Sequence, residues 1–226
     1  MPKISIIGCG WLGRPLSENL KKSYDVECFS RETTEDDSVF WQADTFIIAI
    51  NTKDNYLNTL QKISTLTKAS ANIILTSSTS VYREFDEEVN EEALITKRAL
   101  QIEAEELVQD LCEETLILRL GGLMGDGRVA GRWKKVSSFS DGPVNYIHQA
   151  DVIKIIKEFI DKKITKGVFN LVSPEHPLRS QVHKRNSEKY GFTLGTFEGE
   201  THKIVSSEKM IKQLGYTFIY PNPLDF

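Results

Sequence analysis

Three glycines near the amino terminus, Gly8, Gly10 and Gly13, stand in the spacing G-x-G-x-x-G, and the chemistry open to that pattern is the holding of a diphosphate. The β-branched run Lys3-Ile4-Ser5-Ile6-Ile7 precedes them, and Leu12, Leu16 and Leu20 recur after them at helical spacing. The stretch therefore reads as strand, tight turn and helix. In such a unit the first glycine allows the turn, the second lets the backbone approach a pyrophosphate, and the third lets the helix pack on the strand. The helix start adds unpaired N–H groups and the positive end of a dipole. Gly8, Gly10, Trp11, Leu12 and Gly13 are thus candidate cofactor-binding residues.

Which dinucleotide is expected turns on the end of the second strand, Asp25-Val26-Glu27-Cys28-Phe29, because the residues after it meet the adenosine ribose. An acidic residue there would bind the 2′-hydroxyl and repel a 2′-phosphate. The sequence places Ser30 and Arg31 at that point, a hydroxyl and a guanidinium that suit the phosphate, so NADP(H) is the preferred cofactor. NAD(H) stays open because Glu27 and Glu32 flank the position, and Arg31 as a plain solvated loop residue is the competing reading. Asn51 and Thr52, which end the apolar run from Thr45 to Ile50, and Ser77, which follows the strand from Asn72 to Thr76, complete the candidate cofactor contacts.

The elements that would position these residues alternate. Apolar runs fit strands covered on both faces, and helical periodicity appears at Tyr56, Leu57, Leu60, Ile63 and Leu66 and again at Ala99, Ile102, Leu107 and Leu111. Thr96 is placed to cap the second of these helices, and the acidic stretch 84–92 before it reads as a solvated loop. A further strand, 116–120, opens into a glycine-rich loop, 121–128. Later come a short strand at 145–148, a helix with Asp151 as its cap, a strand at 167–172, a basic helix over 183–189 and a last helix near 207–213. Strand–helix alternation of this kind gives an α/β fold, a Rossmann-type doubly wound parallel sheet with a small C-terminal lobe. Residues 1–145 are expected to form the dinucleotide-binding core, and residues 146–226 to complete it and supply the substrate-side lobe.

Composition removes several classes of function. A net charge of −4 gives no footprint for a polyanion, so nucleic acid is not an expected partner. No apolar stretch reaches the roughly 20 residues of a membrane span, and the expectation is a cytoplasmic protein acting on a small molecule. Cys9, Cys28 and Cys112 stand singly in apolar surroundings and read as small buried hydrophobes, and the four histidines are scattered, so no metal site is expected.

Five stretches in order carry a resemblance to the extended short-chain dehydrogenase/reductases, the family of nucleotide-sugar epimerases and dehydratases. They are Gly8–Gly13, the run Ser77-Ser78-Thr79-Ser80-Val81-Tyr82, the run from Leu118 to Arg128, the run from Asn145 to Val152, and Gly167–Val172. Trp11-Leu12-Gly13 and the short chain most resemble the atypical members, the YeeZ-like group. The resemblance implies hydride chemistry in which a Tyr-x-x-x-Lys pair exchanges a proton with the substrate. On its register Lys97 stands where that tyrosine should be and Gln101 where the lysine should be, so the pair is missing. Ser78 matches the helper serine that hydrogen-bonds the reacting oxygen. Tyr82 or Lys97 is then left to supply the proton, and the catalytic candidates are Ser78, Tyr82 and Lys97. Arg128 and His148 are candidate substrate contacts, Arg128 because a guanidinium grips anionic groups bidentately. The expectation is an NADP(H)-binding oxidoreductase or epimerase-like enzyme of unknown substrate. The competing reading is a non-catalytic NADP(H)-binding sensor or scaffold, and a third keeps the Rossmann unit with the chemistry of another dehydrogenase family.

Overall fold

Runs that are apolar without alternation become strands buried on both faces, and runs with apolar residues every third or fourth position become helices. A computed structural model describes the chain except for residues 30–38, 52–54, 69, 83–87, 96–98 and 134–136. Its first half runs β1 (Lys3–Ile7), α1 (Gly13–Leu20), β2 (Asp25–Phe29), β3 (Thr45–Ile48), α2 (Tyr56–Leu66), β4 (Asn72–Ser78), β5 (Glu88–Val89), α3 (Leu100–Leu111) and β6 (Thr115–Leu120). Its second half runs β7 (Gly122–Met124), β8 (Ser138–Asp141), β9 (Tyr146–His148), α4 (Gln149–Asp161), β10 (Gly167–Leu171), α5 (Arg179–Tyr190), β11 (Thr196–Glu200), β12 (Ile204–Val205) and α6 (Glu208–Leu214).

Six of these strands form one sheet in the order β10-β6-β4-β3-β1-β2. The sheet is parallel: Ile6 of β1 lies opposite Cys28 of β2 and Ile47 of β3, and Ile47 lies opposite Ile74 of β4. Every residue of β6 is buried, as a strand covered on both faces requires. The strand order turns back at β1, which has β2 on one side and β3 on the other. The carboxyl ends of β1 and β3 therefore lie at the reversal of strand order, the place where open α/β sheets take ligands.

The chain forms two compact units, each made of three separate stretches. The first comprises residues 1–81, 98–119 and 155–169, the second residues 82–97, 120–154 and 170–226. In the first, Phe40, Trp41, Phe46, Leu60, Leu75 and Val108 join one buried core, with Trp41 stacked on Phe46 at 6.0 Å. The second unit is held by short parallel pairs, β7 with β9, β8 with β11 and β5 with β12.

Some local expectations fail for identifiable reasons. The glycine-rich stretch after β6 contains a strand, β7, because Gly122 packs against the Tyr146 ring of β9. Part of the acidic loop is structured: Glu88–Val89 pairs with β12, and the Glu91 carboxylate accepts the Asn170 amide at 2.6 Å. The cap position of α3 is Ala99, with Thr96 outside the described residues. Asp151 lies in the first turn of α4, fully buried, and its carboxylate accepts the Tyr216 hydroxyl at 2.8 Å and the Ile219 and Tyr220 amides at 2.7 and 3.0 Å. It ties down residues 216–220, the segment that follows α6, and is not the cap that its position in the sequence predicts.

Candidate functional site

The turn after β1 is shaped by what a side chain would strike. Gly8 has φ +110°, a conformation that L side chains rarely adopt, and a Cβ there would run into the carbonyl of Ala49 at the end of β3. A Cβ on Gly13 would run into the carbonyl of Gly8, so the first turn of α1 can lie this close to the strand only with glycine. Gly10 differs: a Cβ there meets nothing within 4 Å. Its exposed face opens outward, where a backbone can approach a phosphate.

The helix behind this turn is suited to an anion. Leu12 at the cap position makes no side-chain cap bond, and the first turn carries no acidic side chain. The positive end of α1 is therefore left unneutralised by its own carboxylates. Trp11 is half-buried and Leu12 buried beside it. Asn51 is exposed at the end of the β3 run, while Ser30, Arg31 and Thr52 lie outside the described residues.

At the end of β4 the serines divide. The Ser77 hydroxyl donates to Glu105, whose carboxylate is held by Arg119 through Nε at 3.1 Å and a terminal nitrogen at 2.7 Å. Both charged partners are buried, so Ser77 is anchored from below and its hydroxyl is spoken for. Nearby the Tyr56 phenol is pushed up to about 12, by burial first and by the Glu105 charge next. Ser78 is half-buried, and its oxygen accepts the Ser80 amide at 3.1 Å, leaving the hydroxyl hydrogen for another acceptor.

In the second unit Tyr82 is buried, and its hydroxyl donates to the Asn170 side chain at 2.8 Å. Lys97 lies outside the described residues. Arg128 and His148, far apart in sequence, line one cavity of about 210 Å3 together with Arg132, Asn186, Tyr190 and Phe226. The His148 ring packs on Tyr220 at 3.9 Å between centroids, and its Nδ1 accepts the Ala150 amide at 3.2 Å. Burial pushes the ring below the usual imidazole value against the pull of Asp151 and Asp126. Burial and the accepting Nδ1 both favour the neutral ring, and with Nδ1 accepting, the hydrogen belongs on Nε2. Sequence reasoning missed Arg132, Asn186 and Tyr190. Arg132, four residues after Arg128, carried the one available signal.

Cys9 and Cys28, expected as isolated hydrophobes, are joined as a disulfide with Cα atoms 5.8 Å apart, because parallel pairing of β1 with β2 brings the turn after one beside the end of the other. Cys112 is free, and its thiol donates to the Ala71 carbonyl at 3.1 Å. Among the described residues no cluster of three His, Cys, Asp or Glu is placed to hold a metal ion.

No family model matches the sequence. Protein YeeZ of Escherichia coli K12 is 28% identical, in a match covering 99% of this chain and 98% of that protein. The UDP-glucuronic acid 4-epimerase of Bacillus cereus in complex with NAD superposes with a TM-score of 0.76 at 14% identity, covering 99% of this chain and 95% of that one. The human epimerase family protein SDR39U1 with NADPH gives 0.74 at 14% identity, covering 98% and 96%. In sequence this chain is similar along its full length to Protein YeeZ, and its fold is the Rossmann-type fold of the epimerases and short-chain dehydrogenase/reductases.

Proposed function

We propose that the chain binds a pyridine dinucleotide, NADP(H) in preference to NAD(H), and acts on a small anionic substrate as an oxidoreductase or epimerase-like enzyme of the cytoplasm. The observation that carries the reading is the contrast among the three glycines: backbone closes in on Gly8 and Gly13, and space stands open at Gly10. A turn that needed glycine for packing alone would have no reason to keep the second one bare. Gly10, Trp11, Leu12 and Gly13 would hold the diphosphate at the start of α1, with Ser30 and Arg31 toward the ribose phosphate and Asn51, Thr52 and Ser77 on the remaining edge. A bound nicotinamide supplies a hydride donor or acceptor.

The chain's own side chains divide the remaining work. Arg128 grips an anionic group of the substrate and the His148 Nε2–H donates to it. In the family's chemistry a serine at the position of Ser78 orients the reacting oxygen, and Lys97 is the candidate to hold the proton. Tyr82 is the weaker candidate, because its hydroxyl is buried against Asn170.

Calorimetric titration with NADP, NADPH, NAD and NADH tests the binding half. Arg31→Ala should weaken the two phosphorylated forms and leave the others alone; an equal loss for NAD removes the 2′-phosphate contact. A hydride-transfer assay across sugar nucleotides and small carbonyls tests the catalytic half, with Ser78→Ala and Lys97→Ala expected to lose turnover. The commitment of the Tyr82 hydroxyl and the glutamine at position 101 favour a second reading, a sensor that binds the cofactor without turnover. Tight binding with no hydride transfer to any substrate would select it.

A further inference from the structure

Cys9 stands between the first two glycines of the turn, and Cys28 is the last residue but one of β2. Their Cα separation of 5.8 Å lies within the range a disulfide spans without moving the backbone. Both are half-buried, and so within reach of a small thiol reagent. The same two segments are also stitched by hydrogen bonds, the amides of Gly8 and Cys9 donating to the Phe29 carbonyl at 3.3 and 3.4 Å. The pair therefore ties the tip of the glycine turn to the strand end from which the chain runs on to Ser30 and Arg31.

We propose that Cys9 and Cys28 form a redox-operated latch on the dinucleotide site, with the disulfide holding the turn in its binding shape and the dithiol releasing it. The inference rests on the cofactor reading above. Two thiols need more room than two bonded sulfurs, so reduction pushes the turn and the strand end apart. The Ala49 carbonyl lies against Gly8, and the start of α1 packs on the Gly8 carbonyl. Neither side can yield, and the displacement goes toward the open face of Gly10, where the phosphates would lie. A dithiol turn must then be drawn back into shape by the ligand, and the cost appears as lost affinity.

The chemistry is ordinary thiol–disulfide exchange with a low-molecular-weight disulfide such as glutathione disulfide as oxidant. One cysteine thiolate attacks the oxidant, forming a mixed disulfide and releasing one glutathione thiolate. The second cysteine thiolate attacks the protein sulfur of that mixed disulfide and expels the second. Two protein thiols lose two electrons and two protons, and one glutathione disulfide becomes two glutathiones. A dithiol reductant reverses the exchange.

The test compares the intact protein equilibrated with glutathione disulfide and with dithiothreitol. The state of the pair is read by mass, and NADPH affinity by calorimetry. The oxidised protein should bind NADPH about tenfold more tightly than the reduced protein. Cys28→Ser should show the reduced affinity in both buffers, and Cys112→Ser should keep the full difference. Equal affinities with the pair shown to be closed in one sample and open in the other overturn the latch, as does a pair that fails to close. The wild-type comparison decides the matter even where Cys28→Ser does not fold. No binding of NADPH, NADP, NADH or NAD in either state overturns the cofactor reading itself, a failure distinct from equal binding.

Discussion

The turn from Gly8 to Gly13 is shaped by backbone, whereas the cavity around Arg128 and His148 is shaped by side chains gathered from four separate stretches of the second unit. In the turn, substituting one atom group meets a carbonyl that cannot move. In the cavity, an exposed arginine can be replaced while the walls stay. The two regions should therefore respond oppositely to mutation, Gly8 and Gly13 losing fold and function together and the cavity losing function alone.

The largest effect expected is that of Gly13→Val. A branched side chain driven into the Gly8 carbonyl should cost more than about 3 kcal/mol, read as a fall in the urea midpoint. Gly10→Ala sharpens the contrast within the turn: it should leave stability within about 0.5 kcal/mol, because a Cβ there meets no protein atom, and still weaken dinucleotide binding, because the phosphates would lie on that open side. A large loss of stability in Gly10→Ala would mean that the turn is a packing device throughout.

Next comes pH, which tests the second unit. His183 is fully buried, ringed by Trp133, Phe139 and Phe197, and burial first and Arg179 next lower its pKa to about 4 from 6.5. Its native state thus binds fewer protons than the unfolded chain between those values. Stability should be full above pH 6.5 and fall by about 3 kcal/mol as the pH drops to 4, with no further loss from this group below. Urea titrations across that window check it, and His183→Phe should flatten the slope. A slope unchanged by the substitution would assign the pH dependence to other groups.

Smaller effects separate support from contact. Asp151→Asn should cost about 2 kcal/mol, since a buried carboxylate that accepts three hydrogen bonds loses its charge and one acceptor site. Tyr220, which packs on His148, should loosen with it. Arg128→Ala should leave the unfolding midpoint unchanged and weaken binding of an anionic ligand such as inorganic phosphate by about tenfold. A stability loss in Arg128→Ala comparable to that of Asp151→Asn would make the cavity a structural void and not a ligand site.

What could be read from the sequence follows the same division. The central sheet was legible because β1, β3, β4 and β6 are dominated by isoleucine, leucine and phenylalanine without strict alternation, a pattern set by burial on both faces. The glycine turn was legible because three positions fix its stereochemistry locally. The short pairs of the second unit were not, since strands of two or three residues carry no periodicity, and their partners lie tens of residues away. Asp151 looked like a cap because a cap and a buried anchor share the same residue at the same end of a helix. What distinguishes them is the fold of residues 216–220. The cysteine pairing was hidden for a related reason: nothing within 9–28 but the parallel register of β1 on β2 brings the two together.

The open face of Gly10 is where a phosphate would lie, and calorimetric titration of the wild-type protein with NADPH tests this most directly. Saturable one-to-one binding that Gly10→Ala weakens without unfolding the protein is the predicted result. No heat of binding with NADPH or with NADP, NAD or NADH, from a protein shown to be folded, would contradict it.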